Sequence, residues 1–259
     1  MGMLNILWRS MKWRFKNPIS FVVTILQPFL WLVLYSSIAN QTMNNININN
    51  YTAFILPGII VLVVFSSCSS GGIINFIMKN SGSFYRVLIA PISRYSIVLG
   101  QLLEAILVSF IEVTILCIVS IFFSVRIESG IGGILLMIVL IFMTAFFLSS
   151  LAYSISLLLP NEIVYETIMT AIVLPIFFLS SALFPIESLS GGLKVAVMLN
   201  PFTHVINALR SLIFGETILI GDIMPVILLF LILCCSSFSL AMWRLKKNGK
   251  LSFKPINNK

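Results

Sequence analysis

Hydrophobic residues along this chain are grouped into six long runs that carry almost no charge. Each run holds about 20 residues or more, the length that a helix needs to cross a hydrocarbon core of about 30 Å. We therefore predict six transmembrane helices, at approximately 19–39, 54–78, 96–125, 130–159, 164–184 and 223–243. Inside hydrocarbon every backbone polar group must be bonded within its own segment, so the fold class is an all-α integral membrane protein.

The basic residues indicate which ends of these helices face the cytoplasm. Thirteen of the 16 Lys and Arg residues precede the first run, follow the second or follow the sixth. Six crossings put those three regions on one side, and cytoplasmic loops are enriched in Lys and Arg, so both termini are predicted to be cytoplasmic. We predict one transmembrane domain over 1–259, with a connecting helix at 1–18, the spans at 19–243 and a basic tail at 244–259.

Composition and charge support a membrane protein and argue against a nucleic-acid-binding one. Hydrophobic residues make up 59% of the chain and charged residues 9%, whereas soluble domains are nearer half apolar and a quarter charged. The net charge of +8 fits the topological bias and attraction to anionic headgroups, so membrane lipid is an expected partner. Nucleic acid is not expected, because no basic stretch alternates with exposed aromatic residues.

The segment before the first run has two faces at helical spacing. Its apolar side chains recur three and four residues apart, at Leu4, Leu7, Trp8, Met11 and Phe15. The opposite face is polar and basic, with Asn5, Arg9, Lys12 and Lys16. This pattern is typical of an amphipathic helix lying in the headgroup layer. The helix serves either as an anchor that sets topology or as a strut to a cytoplasmic partner.

The loop between the second and third runs is too polar to span and too apolar for a solvated linker. Phe84, Val87, Leu88 and Pro91 would share one face of a short helix, with Arg86 and Arg94 at its polar edges. An exposed apolar stripe of this kind usually marks a protein docking surface. The alternative is packing beneath the spans.

The connection between the fifth and sixth runs contains two amphipathic pieces, each shorter than a span. We expect them to be interfacial or re-entrant, with a turn at Asn200–Pro201. His204 and Arg210 are the polar groups of the second piece. They either contact a passing substrate or bind headgroups and cap the turn.

Acidic residues inside or beside the spans are the remaining candidates. Glu104 and Glu112 lie in the third run, where a carboxyl is costly and should face protein or water. They line a pathway or bind a cation, or else they are neutral packing residues, and Glu104 is placed to pair with Lys79 or another loop cation. Glu162 and Glu166 open the fifth run, suit the positive end of a helix dipole and offer an acidic spot on the cytoplasmic face.

No pattern in the sequence predicts catalysis. There is no G-x-x-x-x-G-K-[ST] loop for ATP, and with one histidine there is no H-E-x-x-H motif. We assign no catalytic residue and no metal ligand, and we expect a protein that is not an enzyme.

Two stretches resemble the ABC-2-type family of ABC transporter permeases, the membrane subunits of many bacterial exporters. The first stretch is Phe84-Tyr85-Arg86-Val87-Leu88-Ile89-Ala90-Pro91-Ile92-Ser93-Arg94, followed by Gly100. The second is Leu179-Ser180-Ser181-Ala182-Leu183-Phe184-Pro185, then Asn200-Pro201-Phe202-Thr203 and Arg210. The resemblance extends over nearly the whole chain, from the amphipathic helix to the basic tail.

The resemblance implies a role for each of these segments. Such permeases pair with a separate ATPase, which holds the ATP and Mg²⁺, so no cofactor is expected on this chain. The loop 79–94 would be the coupling helix seated in the ATPase, and Glu162 would belong to a second, smaller contact. The ATPase-coupling residues would be Phe84, Tyr85, Arg86, Val87, Leu88, Pro91, Arg94 and Glu162. Glu112, His204 and Arg210 are the candidates for the pathway.

The resemblance also implies a dimer of six-span subunits in the bacterial plasma membrane, formed with a second copy or a similar permease. Mostly apolar spans favour export of a hydrophobic or amphipathic substrate, such as a drug, antibiotic or antimicrobial. Export of a polysaccharide or lipid-linked polymer is the alternative. A secondary transporter that uses Glu104 and Glu112 as an ion site is the competing class.

Overall fold

The computed structural model describes residues 2–15, 22, 26, 28–34, 37, 51–159, 161–186, 189–215 and 220–252. In these ranges the fold is helical, and no residue among them is in a strand. The described helices that we number are α1 Gly2–Phe15, α2 Tyr51–Asn80, α3 Ser83–Ile89, α4 Arg94–Ile121, α5 Gly130–Leu158, α6 Glu162–Phe178, α7 Gly191–Leu199, α8 Pro201–Ile213 and α9 Ile220–Ser252.

Four of these helices are long and apolar enough to cross a membrane. They are Tyr51–Asn80, Arg94–Ile121, Gly130–Leu158 and the part of α9 at Ile223–Lys247. They coincide with the second, third, fourth and sixth predicted spans, which makes this a multi-pass membrane protein. The first predicted span lies mostly outside the described residues, so the count of six stays a prediction.

The fifth predicted span is shorter than expected. Its helix α6 has 17 residues, about 25 Å at 1.5 Å per residue, and ends at Phe178 rather than near residue 184. Asn200 explains the early end, because its Nδ2 donates to the carbonyl oxygens of Ile176 at 2.7 Å and Leu179 at 2.8 Å. A side-chain donor thus satisfies carbonyl groups that have no partner at a helix end.

Helix α2 lies at the centre of the described bundle. Of the 18 residues in its apolar central stretch, 83% are buried. In the equivalent stretch of α9 only 17% of the residues are buried. Helices α4, α5, α6 and α8 all pack on α2, whereas α9 packs mainly on α5 and leaves Leu228 and Ile232 exposed. An apolar surface on the outside of the bundle is what contact with lipid requires.

Small residues let two segments approach the spans closely. A Cβ atom added at Gly100 of α4 would lie 3.0 Å from Ile6 Cγ2 and 3.1 Å from the Met3 carbonyl oxygen. One added at Gly58 of α2 would lie 2.6 Å from Ala182 Cβ. The glycines therefore allow α1 to lie directly on α4 and the turn after α6 to lie on α2, as small residues do between membrane helices.

Candidate functional site

Helix α3 is fixed beneath the spans by its own apolar residues. Gly82, at φ +73°, reverses the chain after α2. Phe84 is only 2% exposed and packs in a cluster with Val98, Leu102 and Leu245, while Val87 packs against Ile6 and Ile97. The apolar stripe that we expected to be exposed for a partner therefore faces α1, α4 and α9 of the same chain. That expectation is corrected for Phe84 and Val87.

A different set of side chains is exposed at α3. Ile89 is 73% exposed, and Arg86, Pro91, Arg94 and Tyr95 are exposed as well. Ile89 and Tyr95 were not among the predicted coupling residues, although Ile89 follows Arg86 by three positions and so shares its side of the helix. The side chains of Tyr85 and Leu88 lie outside the described part of the structure.

Helix α1 contacts the bundle through a face that was not expected. Ile6, Ser10 and Arg14, at four-residue spacing, are buried. The predicted apolar face instead points away from the bundle, with Trp8 71% exposed and Leu4 exposed too. Leu7 and Met11 are half-buried at the boundary, and the side chain of Phe15 is outside the described set. The helix thus has a lipid-compatible face beside a protein-contacting one.

Arg14 makes a buried ion pair that links α1 to α4. Its Nε lies 2.7 Å from Glu104 Oε1, and its Nη1 donates to Ser70 Oγ of α2 at 3.3 Å. We expected Glu104 to pair with Lys79 or another loop cation, but Lys79 donates from Nζ to the Leu157 carbonyl oxygen at 3.3 Å. Glu104 is therefore a structural residue of the α1–α4 contact.

Glu112 is buried deeper in α4. It is 1% exposed, and the hydroxyl of Ser67 on α2 lies close to its carboxyl. Eight residues separate it from Glu104, about 12 Å along the helix. Glu112 is not among the residues that line four cavities of the described bundle. The pathway role of Glu112 stays a prediction.

Arg210 and His204 lie on α8 in different surroundings. The guanidinium of Arg210 donates from Nε to the Phe54 carbonyl oxygen at 3.1 Å and from Nη2 to the Ser181 carbonyl oxygen at 2.5 Å. It also lies 3.7 Å from the centroid of the Phe54 ring. These contacts hold α8 and the turn after α6 against α2, which favours a structural role. His204 is exposed, with Nε2 3.0 Å from the Met198 carbonyl oxygen.

The connection before α9 contains the two short helices that the sequence predicts. They meet at Asn200, whose Oδ1 accepts from the backbone N–H of Phe202 at 3.0 Å and so caps α8. Pro201 occupies the first turn, where a missing N–H costs nothing. The break between the helices is confirmed, and their insertion into the membrane stays a prediction.

One cavity, of about 380 Å³, lies between α2, α6 and Pro28 of the helical residues 28–34. We call it the serine cavity because Ser66, Ser69 and Ser70 of α2 line it. Its remaining wall residues are Pro28, Leu62, Phe65, Ile73, Glu166, Met169, Thr170, Val173 and Leu174. Its volume falls within the range of about 300–1,000 Å³ typical of small-molecule sites.

A second cavity, of about 410 Å³, lies between α5 and α6 beneath the α7–α8 turn. We call it the apolar cavity, because Asn200 is the one polar residue among those that line it. Phe65 and Met169 line both cavities. Tyr165 attaches α6 to α2 between the two cavities, because its Oη donates to the Ser69 carbonyl oxygen at 2.9 Å. The phenol group fits there because Gly72 has no side chain.

Comparison with known proteins identifies the family. A family model described as ABC-2 type transporter matches residues 3–214, from α1 to the end of α8. This chain belongs to the ABC-2 type transporter family. The permease is 27% identical over 201 residues to "Putative transport permease ycf38" of Cyanophora paradoxa, covering 76% of this chain and 69% of that protein. It is 29% identical over 201 residues to the protein of the same name from Porphyra purpurea, covering 76% and 68%.

A third relative has a longer chain. The permease is 28% identical over 186 residues to "ABC transporter G family member 20" of Dictyostelium discoideum, covering 67% of this chain but 25% of that protein. Permeases of this family normally pair with an ATPase subunit. The resemblance stated from the motifs is therefore confirmed, while the roles of the individual coupling and pathway residues stay predictions.

Proposed function

We propose that this permease is the membrane subunit of an ATP-driven exporter in a bacterial plasma membrane. A separate ATPase subunit binds at its cytoplasmic face, holds ATP and Mg²⁺, and supplies the work. The permease crosses the membrane six times with both termini in the cytoplasm, and α7 and α8 enter the bilayer from outside. It pairs with a second copy or a similar permease, and substrate leaves between the two.

The position of α3 is the observation that carries this proposal. Its buried residues Phe84 and Val87 belong to apolar clusters that include residues of α1, α4 and α9, while Arg86 and Ile89 are exposed. A force applied to the exposed side is therefore passed to three helices at once. ATP binding shifts the permease between two states only if the ATPase contacts differ between those states, and we propose that α3 carries that difference to the spans.

The two cavities support an amphipathic cargo. The serine cavity combines hydroxyl groups with Phe65 and Met169, and the apolar cavity continues on the other side of those two residues. A ligand with a polar end and a hydrophobic body would find both environments next to α6. An ion site at Glu104 and Glu112 has less support, because Arg14 already pairs with Glu104.

The docking assignment is tested with the double variant Arg86→Glu and Ile89→Asp. Tagged permease is purified from its native membrane, and the MgATP hydrolysis recovered with it is measured. We expect a loss of about tenfold or more, because reversing one charge and removing one apolar contact costs at least about 1.4 kcal/mol of binding. Membrane insertion should not change.

The matched control is Arg126→Glu and Ile127→Asp, the same changes at exposed residues of the α4–α5 loop. This loop lies at the other end of α4, so the control should retain full ATPase recovery. Equal recovery from both double variants would show that α3 is not the ATPase contact.

A further inference from the structure

Helix α6 presents one flank to the serine cavity. Its buried residues Tyr165 and Met169 lie on the side of the helix that packs against the bundle, and Tyr165 donates a hydrogen bond to Ser69 of α2. Glu166, Thr170 and Leu174 follow one another at four-residue spacing and form a flank that lines the serine cavity on one side and a more open groove with Thr167, Ala171 and Pro175 on the other. Glu166 and Thr170 are both exposed. A carboxyl in the second turn of α6, near the end predicted to face the cytoplasm, and a hydroxyl one turn further along are therefore not covered by the described protein.

Glu166 sets the charge of this cavity. It is the one ionisable residue among those that line the cavity in the described structure. Arg14 contacts one wall residue, because its Nη1 donates to Ser70 Oγ. Its charge is nevertheless paired with Glu104, since Arg14 Nε lies 2.7 Å from Glu104 Oε1. Glu166 itself makes no ion pair within the described ranges. The cavity is therefore negative at one wall and hydroxyl-lined at the other.

A carboxylate at this position disfavours contact with hydrocarbon and favours a cation. Acidic side chains in membrane segments face protein or a water-filled space and pair with positive groups. Apart from Glu166, Thr170 and the three serines, the wall is apolar or aromatic, with Phe65, Ile73 and Met169. Aromatic rings and a carboxylate together suit a hydrophobic body that carries a positive charge.

We infer that Glu166 makes this permease selective for hydrophobic organic cations. The charged group of the cargo lies against Glu166, its body lies on Phe65 and Met169, and the hydroxyls of Ser66 and Thr170 receive its polar substituents. This inference rests on the proposed export function, because it assigns the serine cavity to the cargo. Selectivity arises because an anion of equal size is repelled by the same carboxylate.

The test uses two probes of matched size and opposite charge, tetraphenylphosphonium and tetraphenylborate. Binding is measured by equilibrium dialysis on the complete permease–ATPase complex in nanodiscs of a zwitterionic lipid. After binding to protein-free nanodiscs of the same lipid is subtracted, the unmodified complex should bind the cation more tightly than the anion. Glu166→Gln should weaken cation binding by roughly tenfold without weakening anion binding, as expected from losing one close charge pair.

Two further variants make the result specific. Glu166→Lys should reverse the preference, so that tetraphenylborate binds more tightly than tetraphenylphosphonium. Glu128→Gln makes the same neutralising change at an exposed residue of the α4–α5 loop and should alter neither affinity. Unchanged selectivity in Glu166→Gln, or an equal loss for both ions, would overturn the inference.

A transport measurement separates this inference from the proposed function. Accumulation of tetraphenylphosphonium in proteoliposomes is followed with MgATP outside and with a proton gradient alone. ATP-driven uptake that is insensitive to Glu166→Gln would refute the cation site and leave the exporter intact. Uptake that depends on Glu166 but responds only to the proton gradient would refute the exporter and leave the cation site.

Discussion

The buried ion pair between Arg14 and Glu104 predicts a strongly coupled pair of mutations. Nε and Oε1 are 2.7 Å apart, and both side chains are almost fully buried. Truncating one partner leaves the other charge unpaired in a low-dielectric environment, which typically costs about 3–5 kcal/mol. We therefore expect Arg14→Met and Glu104→Leu each to destabilise the permease by about 3 kcal/mol, roughly a hundredfold in the folding equilibrium.

The double variant should be far more stable than the sum of its parts suggests. Replacing a whole buried ion pair with apolar residues of similar size is often neutral or stabilising. The free energy of unfolding of the double variant Arg14→Met and Glu104→Leu should therefore lie within about 1 kcal/mol of that of the unmodified permease. The coupling energy between the two sites would then be larger than the roughly 0.5 kcal/mol scatter expected of independent sites. Ser70 would lose only the single hydrogen bond that it accepts from Arg14.

The assay is reversible unfolding in mixed micelles, with a rising fraction of sodium dodecyl sulfate and tryptophan fluorescence as the signal. The four chains are compared at one lipid composition. If the double variant loses as much as the two single variants added together, Arg14 and Glu104 do not stabilise each other. The account of how α1 is joined to the bundle would then be wrong.

Two other predictions follow from single contacts. Gly100→Leu should detach α1 from α4, because a Cβ there already lies 3.0 Å from Ile6 Cγ2, and faster proteolysis within α1 is the expected result. Gly132→Leu, where an added Cβ meets nothing within 4 Å, should leave that rate unchanged. Arg210→Lys should lower the midpoint of thermal unfolding by several degrees, since lysine cannot reproduce a planar fork of donors. Arg126→Lys, at an exposed site, should leave the midpoint of thermal unfolding unchanged. Equal midpoints for the two variants would contradict the structural role of Arg210.

Helix bounds were the most predictable part of the fold. The second, third and fourth spans were expected at 54–78, 96–125 and 130–159, and the helices are Tyr51–Asn80, Arg94–Ile121 and Gly130–Leu158. The length of an uncharged apolar run is set by bilayer thickness, so these elements depend on local sequence alone. The break at Asn200–Pro201 was predictable for the same reason, because capping and proline geometry are local.

The partners of polar residues were not predictable in this way. Arg14 and Glu104 are 90 positions apart, and the nearer cation Lys79 was the reasonable expectation. On α1, hydrophobic periodicity separates apolar from polar faces, but Arg14 lies on a third face that contacts protein. A periodic pattern distinguishes two environments, whereas an interfacial helix has three: lipid, water and the neighbouring helices.

The amino-acid sequence by itself determined that this is a helical membrane protein of the ABC-2 type, where the second, third and fourth predicted spans lie to within a few residues, and which short loop is amphipathic. Those properties follow from transfer of local segments into hydrocarbon. Only the tertiary structure decided that Phe84 and Val87 face the protein rather than a partner, and that Glu166 lines a cavity beside α2. An apolar side chain is satisfied by any apolar surface, and a cavity exists only between helices, so both depend on how the helices are arranged.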